Sequence, residues 1–354
     1  MIGFALLGCG KIARRHAALL AGNFVPGARL AAVCDLDPQR AAATASEFAV
    51  PAFTDVAQMM QHPGVHAAAV LTPSGSHARD VIALSAFGKP LVVEKPMALT
   101  LDDADRMIEA CDRHRCKLFV IKQNRFNTPV VKLREALVAG RFGKLVLGTV
   151  RVRWCRPQAY YDEASWRGTW AHDGGVLANQ ASHHVDLLEW MMGDVDSVHG
   201  MATTALVRIE AEDTAVVTVR FRNGALGIIE ATTATRPKDL EGSISILGEL
   251  GSVEIGGFSM NELKIWQFAK PLPGDEAIMA QFGRNPAHPH GYAHAEYYRH
   301  VVDCIEHNKQ QLVDGLEGRR SLEMITAIYE SIETGAEVKL RFRPTRCRLG
   351  HASP

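Results

Sequence analysis

The sequence predicts an α/β protein in two domains. Residues 1–122 read as a doubly wound parallel sheet, and residues 123–354 as an α+β domain carrying a large, open, mostly antiparallel sheet. Three observations carry that expectation. Short apolar runs alternate with amphipathic segments up to about residue 122, the pattern of successive βαβ units. A glycine turn joins the first apolar run to the first helix. Beyond residue 122 the runs lengthen, lie closer together and are separated by short turns. At 354 residues the chain also exceeds one ordinary core.

Phe4 to Leu7 is apolar at every position, as in a strand buried on both faces. Gly8-Cys9-Gly10-Lys11-Ile12-Ala13 follows, then a helix over 14–20 with Ile12, Ala13, Ala17 and Leu20 on one side. Gly8 can take a backbone conformation closed to other residues. Gly10 lets the chain press against a pyrophosphate, and the helix start offers unpaired amides to phosphate. The next strand, 30–34, is closed by Asp35, placed where an acid would bind the adenosine ribose. Its charge would repel a 2′-phosphate, so NAD is expected over NADP, with Arg40 nearby to soften the preference. These residues together predict a Rossmann dinucleotide site.

The remaining elements of this half follow in order. A helix over 37–48 has Pro38 in its first turn. A short helix over 55–61 is closed by Pro63-Gly64, and 65–71 is a strand. Thr72-Pro73-Ser74-Gly75-Ser76-His77 leads into a helix over 78–87, which Gly88 stops. The strand 91–93 ends in Glu94-Lys95-Pro96, a helix covers 101–113, and 117–122 is the last strand of the series. Ligands of such sheets bind beyond the carboxyl ends of the strands. Residues 8–13, Asp35, 72–77, 94–96 and Gln123-Asn124 all fall there. The expected cofactor set is Gly8, Gly10, Lys11, Ile12, Asp35, Arg40, Thr72, Pro73, Ser74, His77, Glu94, Lys95 and Gln123, with Arg167 added from the second half.

In the second half, 128–138 reads as a helix and 143–155 as a long strand. Its alternation sets Val146, Val150, Val152 and Trp154 nearer one face and Arg151 and Arg153 on the other. A helix near 175–192 precedes strands at 197–206, 213–220, 226–233, 243–247, 252–255 and 263–267. Asn223-Gly224 marks a hairpin. Helices over 294–307 and 318–334 follow, and the basic tail 341–354 reads as loose. A sheet covered on one face only argues for a homo-oligomer built sheet to sheet.

Composition narrows the function. Lys plus Arg equals Asp plus Glu, 39 each, which gives no support for nucleic acid or an anionic membrane as partner. The first apolar run is short and broken by glycines and charges, so no signal peptide is read. No stretch is long and apolar enough to span a bilayer. The seven cysteines are dispersed, and even Cys111 and Cys116 lack metal or redox spacing. Buried thiols in a reducing cytoplasm are expected.

Two constellations can carry chemistry. Lys95 closes a strand where a nicotinamide is expected, and a lysine there can hydrogen-bond a substrate hydroxyl. Asn179, His183 and Asp186, with Trp190 beyond, fall on one stripe at about 3.6 residues per turn. Leu177, Ala181, Val185 and Leu188 take the other side, with His184 nearer to them as packing. His183 can act as general base toward an alcohol, with Asp186 placed to orient its ring. Asn179 is a poor zinc ligand and no further spacing completes a set, so no metal is expected. His288, His290 and His294 form a loose cluster read as solvated loop or substrate contact. Arg156, Tyr160 and the stretch through Arg167 suit an anionic substrate.

Residues 8–13, Thr72-Pro73, Glu94-Lys95-Pro96 and Gly174-Gly175 with His183 and Asp186 occur in the order of the Gfo/Idh/MocA oxidoreductases, which the chain resembles over almost its whole length. The resemblance implies an N-terminal Rossmann domain, a C-terminal α/β domain with an open sheet, and dimers or tetramers built on that sheet. It also implies Lys95 and His183 as catalytic residues at a substrate carbinol, with hydride passing to NAD. Members often carry Asp where this chain has Asn179, which removes a negative charge beside His183.

Within the family, residues 177–184 and 156–161 look most like the UDP-N-acetylglucosaminuronate 3-dehydrogenases. That likeness implies oxidation of the C3 hydroxyl of UDP-N-acetyl-D-glucosaminuronic acid to a 3-keto sugar, in the synthesis of lipopolysaccharide O-antigen sugars. Lys95, Arg156, Tyr160, Asn179 and His183 would then contact the substrate. Which of Lys95 and His183 is the base stays open from sequence. Two other readings stand beside it: a dehydrogenase of a free sugar or inositol, and a non-catalytic sensor of dinucleotide or sugar.

Overall fold

The computed structural model describes residues 1–284, 289–340 and 344–352. In chain order the elements begin β1 (Ile2–Leu7), α1 (Lys11–Ala21), β2 (Ala28–Cys34), α2 (Pro38–Phe48), β3 (Ala52–Phe53), α3 (Val56–Gln61), β4 (Ala67–Val70) and α4 (His77–Ser85). They continue β5 (Leu91–Val93), α5 (Leu101–Arg113), β6 (Leu118–Val120), α6 (Thr128–Val138), β7 (Leu145–Arg153), α7 (Gln158–Asp162) and α8 (Ser182–Met192). The strands β8 (Val195–Thr203), β9 (Thr214–Phe221), β10 (Leu226–Thr232), β11 (Glu241–Gly248), β12 (Gly251–Gly256) and β13 (Glu262–Phe268) come next. The series ends with α9 (Asp275–Phe282), α10 (Pro289–Glu306), α11 (Gly315–Thr334) and β14 (Val338–Lys339).

Two compact units result: Met1–Gln123 with Gly291–Arg319, and Asn124–His290 with Arg320–Pro354. Residues 291–319 return to the first unit, so neither unit is one continuous stretch of chain. The reason is packing. Tyr297, Tyr298, Val301 and Cys304 of α10 are fully buried there, Tyr298 edge-on to Phe4 of β1 at 5.3 Å. A sequence shows that such a helix has an apolar face, and not which sheet it covers.

The first unit is a six-stranded sheet in the order β3-β2-β1-β4-β5-β6, and every pair is parallel. β1, at its centre, is buried throughout. Side chains cap the helices where the sequence changes from loop to helix: Asp37 on Gln39 and Arg40, Asp55 on Gln58, Thr100 on Asp103. The chain passes very close to β1 after α3. A Cβ on Gly3 would stand 1.9 Å from the Gly64 carbonyl oxygen.

The second unit is an eight-stranded sheet in the order β13-β12-β11-β7-β10-β9-β8-β14. Only β7 and β10 are parallel; the other neighbours run antiparallel. α8 covers one face so tightly that a Cβ on Gly148 would meet Met192 and Leu188 at 2.7 and 2.8 Å. Val150 and Val152 lie under it. Val146, expected with them, is 54% exposed, because Gly148 already meets the last residue of the covering helix. The opposite face carries exposed Met201, Val216, Leu226 and Ile228. Arg153 crosses it to pair with Glu230 at 2.6 Å and Glu241 at 3.2 Å.

Replacing Gly3 by Ala forces a methyl into a backbone carbonyl that cannot swing aside. Urea unfolding followed by circular dichroism should show a loss of about 1–3 kcal/mol or more. An unchanged midpoint would contradict this packing.

Candidate active site

In the first unit the glycine turn is built as a dinucleotide site requires. Gly8 has φ +97°, and a Cβ there would lie 2.9 Å from the main chain of Leu71. Around the position a Gly10 Cβ would take there is no atom within 4 Å, so a ligand can approach the bare backbone. Gly10 caps α1 without a side-chain hydrogen bond, leaving the helix start open to an anion. Asp35 is held by two amides, accepting from Cys9 N–H at 2.7 Å and Asp37 N–H at 2.9 Å. Its half-buried carboxylate keeps lone pairs for ribose hydroxyls. Lys11 is exposed and Ile12 half-buried at the start of α1, while Arg40 pairs with Asp37 at 3.2 Å. These residues fit NAD.

Two residues expected on the cofactor also make contacts within the first unit. His77 is buried, and its ring nitrogens face the carbonyls of Pro96 and Thr72, each at 2.8 Å. Burial pushes its pKa down, so the neutral ring donates to one of these carbonyls and packs its other nitrogen against the second. It clamps the 72–77 loop to the 94–96 loop. Thr72 donates its hydroxyl to Asp80 at 2.7 Å, Pro73 is exposed and Ser74 buried. Glu94 is buried, with one oxygen on His16 at 3.1 Å and the other accepting Lys95 N–H at 2.9 Å. Lys95 and Gln123 are half-exposed.

In the second unit the expected helix over 175–192 is two pieces. Val176–Gln180 is a π-helical turn, and α8 begins after Ala181. The wide turn changes the phase of the helix between Asn179 and His183, and α8 is buried on nearly all sides. The N-terminus of the π turn is capped by groups the sequence does not announce. Glu212 accepts Val176 N–H at its main-chain oxygen and Leu177 N–H at its carboxylate, both at 2.9 Å. The Tyr329 hydroxyl accepts Gly175 and Ala178 N–H at 3.3 Å and donates to Glu212 at 2.9 Å. Burial pushes the Glu212 carboxyl up to about 7.

Asn179 donates its amide to Asp173. His183 is 8% exposed, whereas His184 is fully buried against Trp154 with no hydrogen-bond partner on either ring nitrogen. Burial lowers His184 to about 3, so it packs as a neutral ring. Asp186, expected to orient His183, gives both oxygens to Arg125 at 2.8 Å, and that guanidinium lies 4.7 Å from the Trp190 ring centre. The long separation in sequence hid this buried pair.

The anion-binding candidates gather beside the π turn. Arg156 lies over Trp154 and Tyr160, at 5.3 and 5.5 Å, and pairs with Asp239 at 3.1 Å. The Tyr160 hydroxyl accepts from Gln180 at 3.0 Å. Arg167 stacks on Tyr160 at 4.2 Å and donates to the Tyr160 carbonyl and Glu163. The guanidiniums, the phenol and the turn that carries Asn179 therefore form one cluster.

His16, Glu94 and His294 are the one group among the described residues whose metal-ligating atoms lie within 4.8 Å of one another. Their shortest approach, His16 to Glu94, has the length and partners of a hydrogen bond. Of the histidine cluster expected near the chain's late loop, His294 is buried in this group, and His288 lies outside the described residues.

Residues 2–122 match the oxidoreductase family's NAD-binding Rossmann fold, and residues 134–340 match the same family's C-terminal alpha/beta domain. The WlbA dehydrogenase of Bordetella pertussis, crystallised with NADH and UDP-GlcNAcA, is 41% identical; the match covers 96% of this chain and 99% of that one, with a TM-score of 0.87. The WlbA enzyme of Chromobacterium violaceum, with the same two ligands, is 40% identical over 96% of both chains, with a TM-score of 0.89. The scyllo-inositol 2-dehydrogenase (NAD(+)) of Bacillus subtilis is 26% identical over 95% of each chain.

The Glu212 cap has a measurable consequence. An ordinary glutamate has the value 4.5, so the folded chain holds this proton more tightly than the unfolded chain does. The associated stability is complete below the ordinary value and declines as pH rises toward about 7. Glu212→Gln keeps the acceptor for Leu177 and cannot ionise. Its stability relative to wild type should improve by on the order of 3 kcal/mol between about pH 4.5 and 7, then stay level. Parallel pH profiles of melting temperature for the two proteins would contradict the assignment.

Proposed function

The chain belongs to the Gfo/Idh/MocA oxidoreductase family, and we propose that it catalyses NAD-dependent oxidation of the C3 hydroxyl of UDP-N-acetyl-D-glucosaminuronic acid to the 3-keto sugar. One observation carries the choice of substrate. Identity is 40–41% over 96% of the chain to enzymes crystallised with NADH and UDP-GlcNAcA, against 24–29% to apiose and inositol dehydrogenases. The clustered Arg156, Tyr160 and Arg167 support it, since a uronate and a diphosphate are both anions that arginine forks bind.

In this reading NAD, held by the 8–13 turn and Asp35, supplies the hydride acceptor. His183 takes the proton of the C3 hydroxyl. Lys95 donates a hydrogen bond to the same oxygen and favours its developing negative charge. Asn179 holds the sugar through its amide without adding charge beside His183. Arg156 and Tyr160 hold the carboxylate end. The 3-keto product suits a following amino transfer, in O-antigen sugar synthesis, and the cytoplasm is the proposed compartment. Support for the compartment comes from seven cysteines that are all free thiols, and from the lack of any helix long and apolar enough to cross a membrane among the described residues.

A second reading, oxidation of a free sugar or inositol, is favoured by the inositol and apiose relatives that match over 95% of the chain. Enzyme at high concentration, mixed with NAD and the UDP-uronate, should show the reduced-nicotinamide absorbance band, even if only for one turnover. His183→Ala and Lys95→Met should each cost roughly 100-fold or more in rate. A band that rises only with a free hexose or inositol would select the second reading. Nucleotide binding with no reduction by any sugar would leave a sensor.

We also propose that the exposed face of the eight-stranded sheet is covered by a second copy of the chain. Support comes from its contiguous Met201, Val216, Leu226 and Ile228, with the Arg153–Glu230 pair between strands. Light scattering should find a dimer or tetramer that Val216→Glu with Ile228→Glu reduces. A monomeric wild type would exclude it.

A further inference from the structure

Glu94 follows β5 directly and is buried, while its neighbour Lys95 is half-exposed. The two oxygens of Glu94 are split between two tasks. Oε2 accepts the main-chain N–H of Lys95 at 2.9 Å, and Oε1 faces Nε2 of His16 on α1 at 3.1 Å. A carboxylate can only accept, so His16 Nε2 carries the hydrogen, which sets the tautomer. Nδ1 of His16 then takes the hydroxyl hydrogen of Tyr298, 2.7 Å away on α10. Burial pushes the Tyr298 phenol far up, so it stays a protonated donor.

The charge is settled in the same place. Burial alone would raise the Glu94 carboxyl. The His16 hydrogen bond, with His294 and Lys95 close by, holds it well below the usual carboxylate range instead. His294 Nε2 stands 4.0 Å from Oε1, its ring edge-on to His16 at 5.5 Å. Hydrogens along Tyr298, His16 and Glu94 all point one way, toward the carboxylate. The run starts at a fully buried hydroxyl, so it gives a proton no path to water. Its capacity is to hold a carboxylate still.

We propose that His16 is a positioning residue for Lys95, acting through Glu94: the imidazole fixes the carboxylate, and the carboxylate fixes the backbone from which the lysine reaches the substrate. The proposal deepens the functional reading above and rests on it for the role of Lys95. Two substitutions separate hydrogen bonding from bulk. A Gln amide nitrogen reaches the place of imidazole Nε2, and an Asn amide nitrogen that of Nδ1. His16→Gln keeps the bond to Glu94, and His16→Asn loses it.

Two readouts are taken. One is the acetylation rate of Lys95 by acetic anhydride without substrate, read on its peptide by mass spectrometry. The other is kcat against KM. His16→Gln should label like wild type and keep kcat within about threefold, whereas His16→Asn should change the labelling rate by more than about threefold. The Asn variant should also lower kcat about tenfold, with KM for both substrates nearly unchanged. If the Asn variant does not fold, Tyr298→Phe, which loosens the His16 ring, should move both readouts the same way by less. Equal behaviour of the Gln and Asn variants, or no response in a folded Tyr298→Phe, would overturn the proposal. So would one equivalent of a divalent metal in the purified wild type, because the cation would occupy the place of the required proton. A wild type that oxidises no sugar would sink the functional reading, and the labelling would still decide this one.

Discussion

The hydrogen bond from Cys9 N–H to Asp35 ties the glycine turn to the end of the neighbouring strand. Every strand of the first sheet runs parallel, so all its carboxyl ends open on one edge. That edge has to remain bare enough for a ligand and yet leave no buried polar group unmet. The loops solve this by bonding to one another. Gly8 N–H takes the Cys34 carbonyl, Cys9 N–H takes Asp35, and His77 bridges Thr72 to Pro96. What remains directed outward is mostly main chain, at Gly10 and the start of α1. Main chain at a helix start is what a diphosphate needs.

Buried carboxylates show three solutions to one electrostatic problem. Glu94 is neutralised by an imidazole and an amide, Asp186 by a guanidinium with two parallel bonds, and Glu212 by amides and a phenol. Burial pushes the last of them upward. Removing one partner of a buried pair typically costs 3–5 kcal/mol, because the other charge is left in low dielectric. These pairs therefore act as fixed points. Asp186 and Glu212 anchor the two ends of the segment that presents Asn179 and His183, and Glu94 anchors the backbone of Lys95.

Much of this was legible from residue types in order. The glycine turn, the acid that closes β2, the strand ends that carry Thr72 and Lys95, and the change of architecture near residue 122 are local. Each rests on backbone freedom, period and turn chemistry, which act within a few residues. His184 as packing was legible for the same reason, since its neighbours are apolar. Partners were not legible. Nothing in the spacing ties Asp186 to Arg125, Leu177 to Glu212, or His16 to Glu94 and Tyr298. His77 and Glu94 stand in the motifs of a cofactor site, and only the folded chain shows which neighbours their polar atoms meet.

By itself the sequence determined where most strands and helices lie, that the first half winds a parallel sheet, and that a glycine turn joins its first strand to its first helix. Local sterics and periodic burial are enough for that. Tertiary structure alone decided that residues 291–319 return to the first unit, that the helix of His183 opens with a π turn, and which buried charge pairs with which. Those outcomes depend on surfaces brought together from distant parts of the chain, and a sequence records the surfaces without recording their matching.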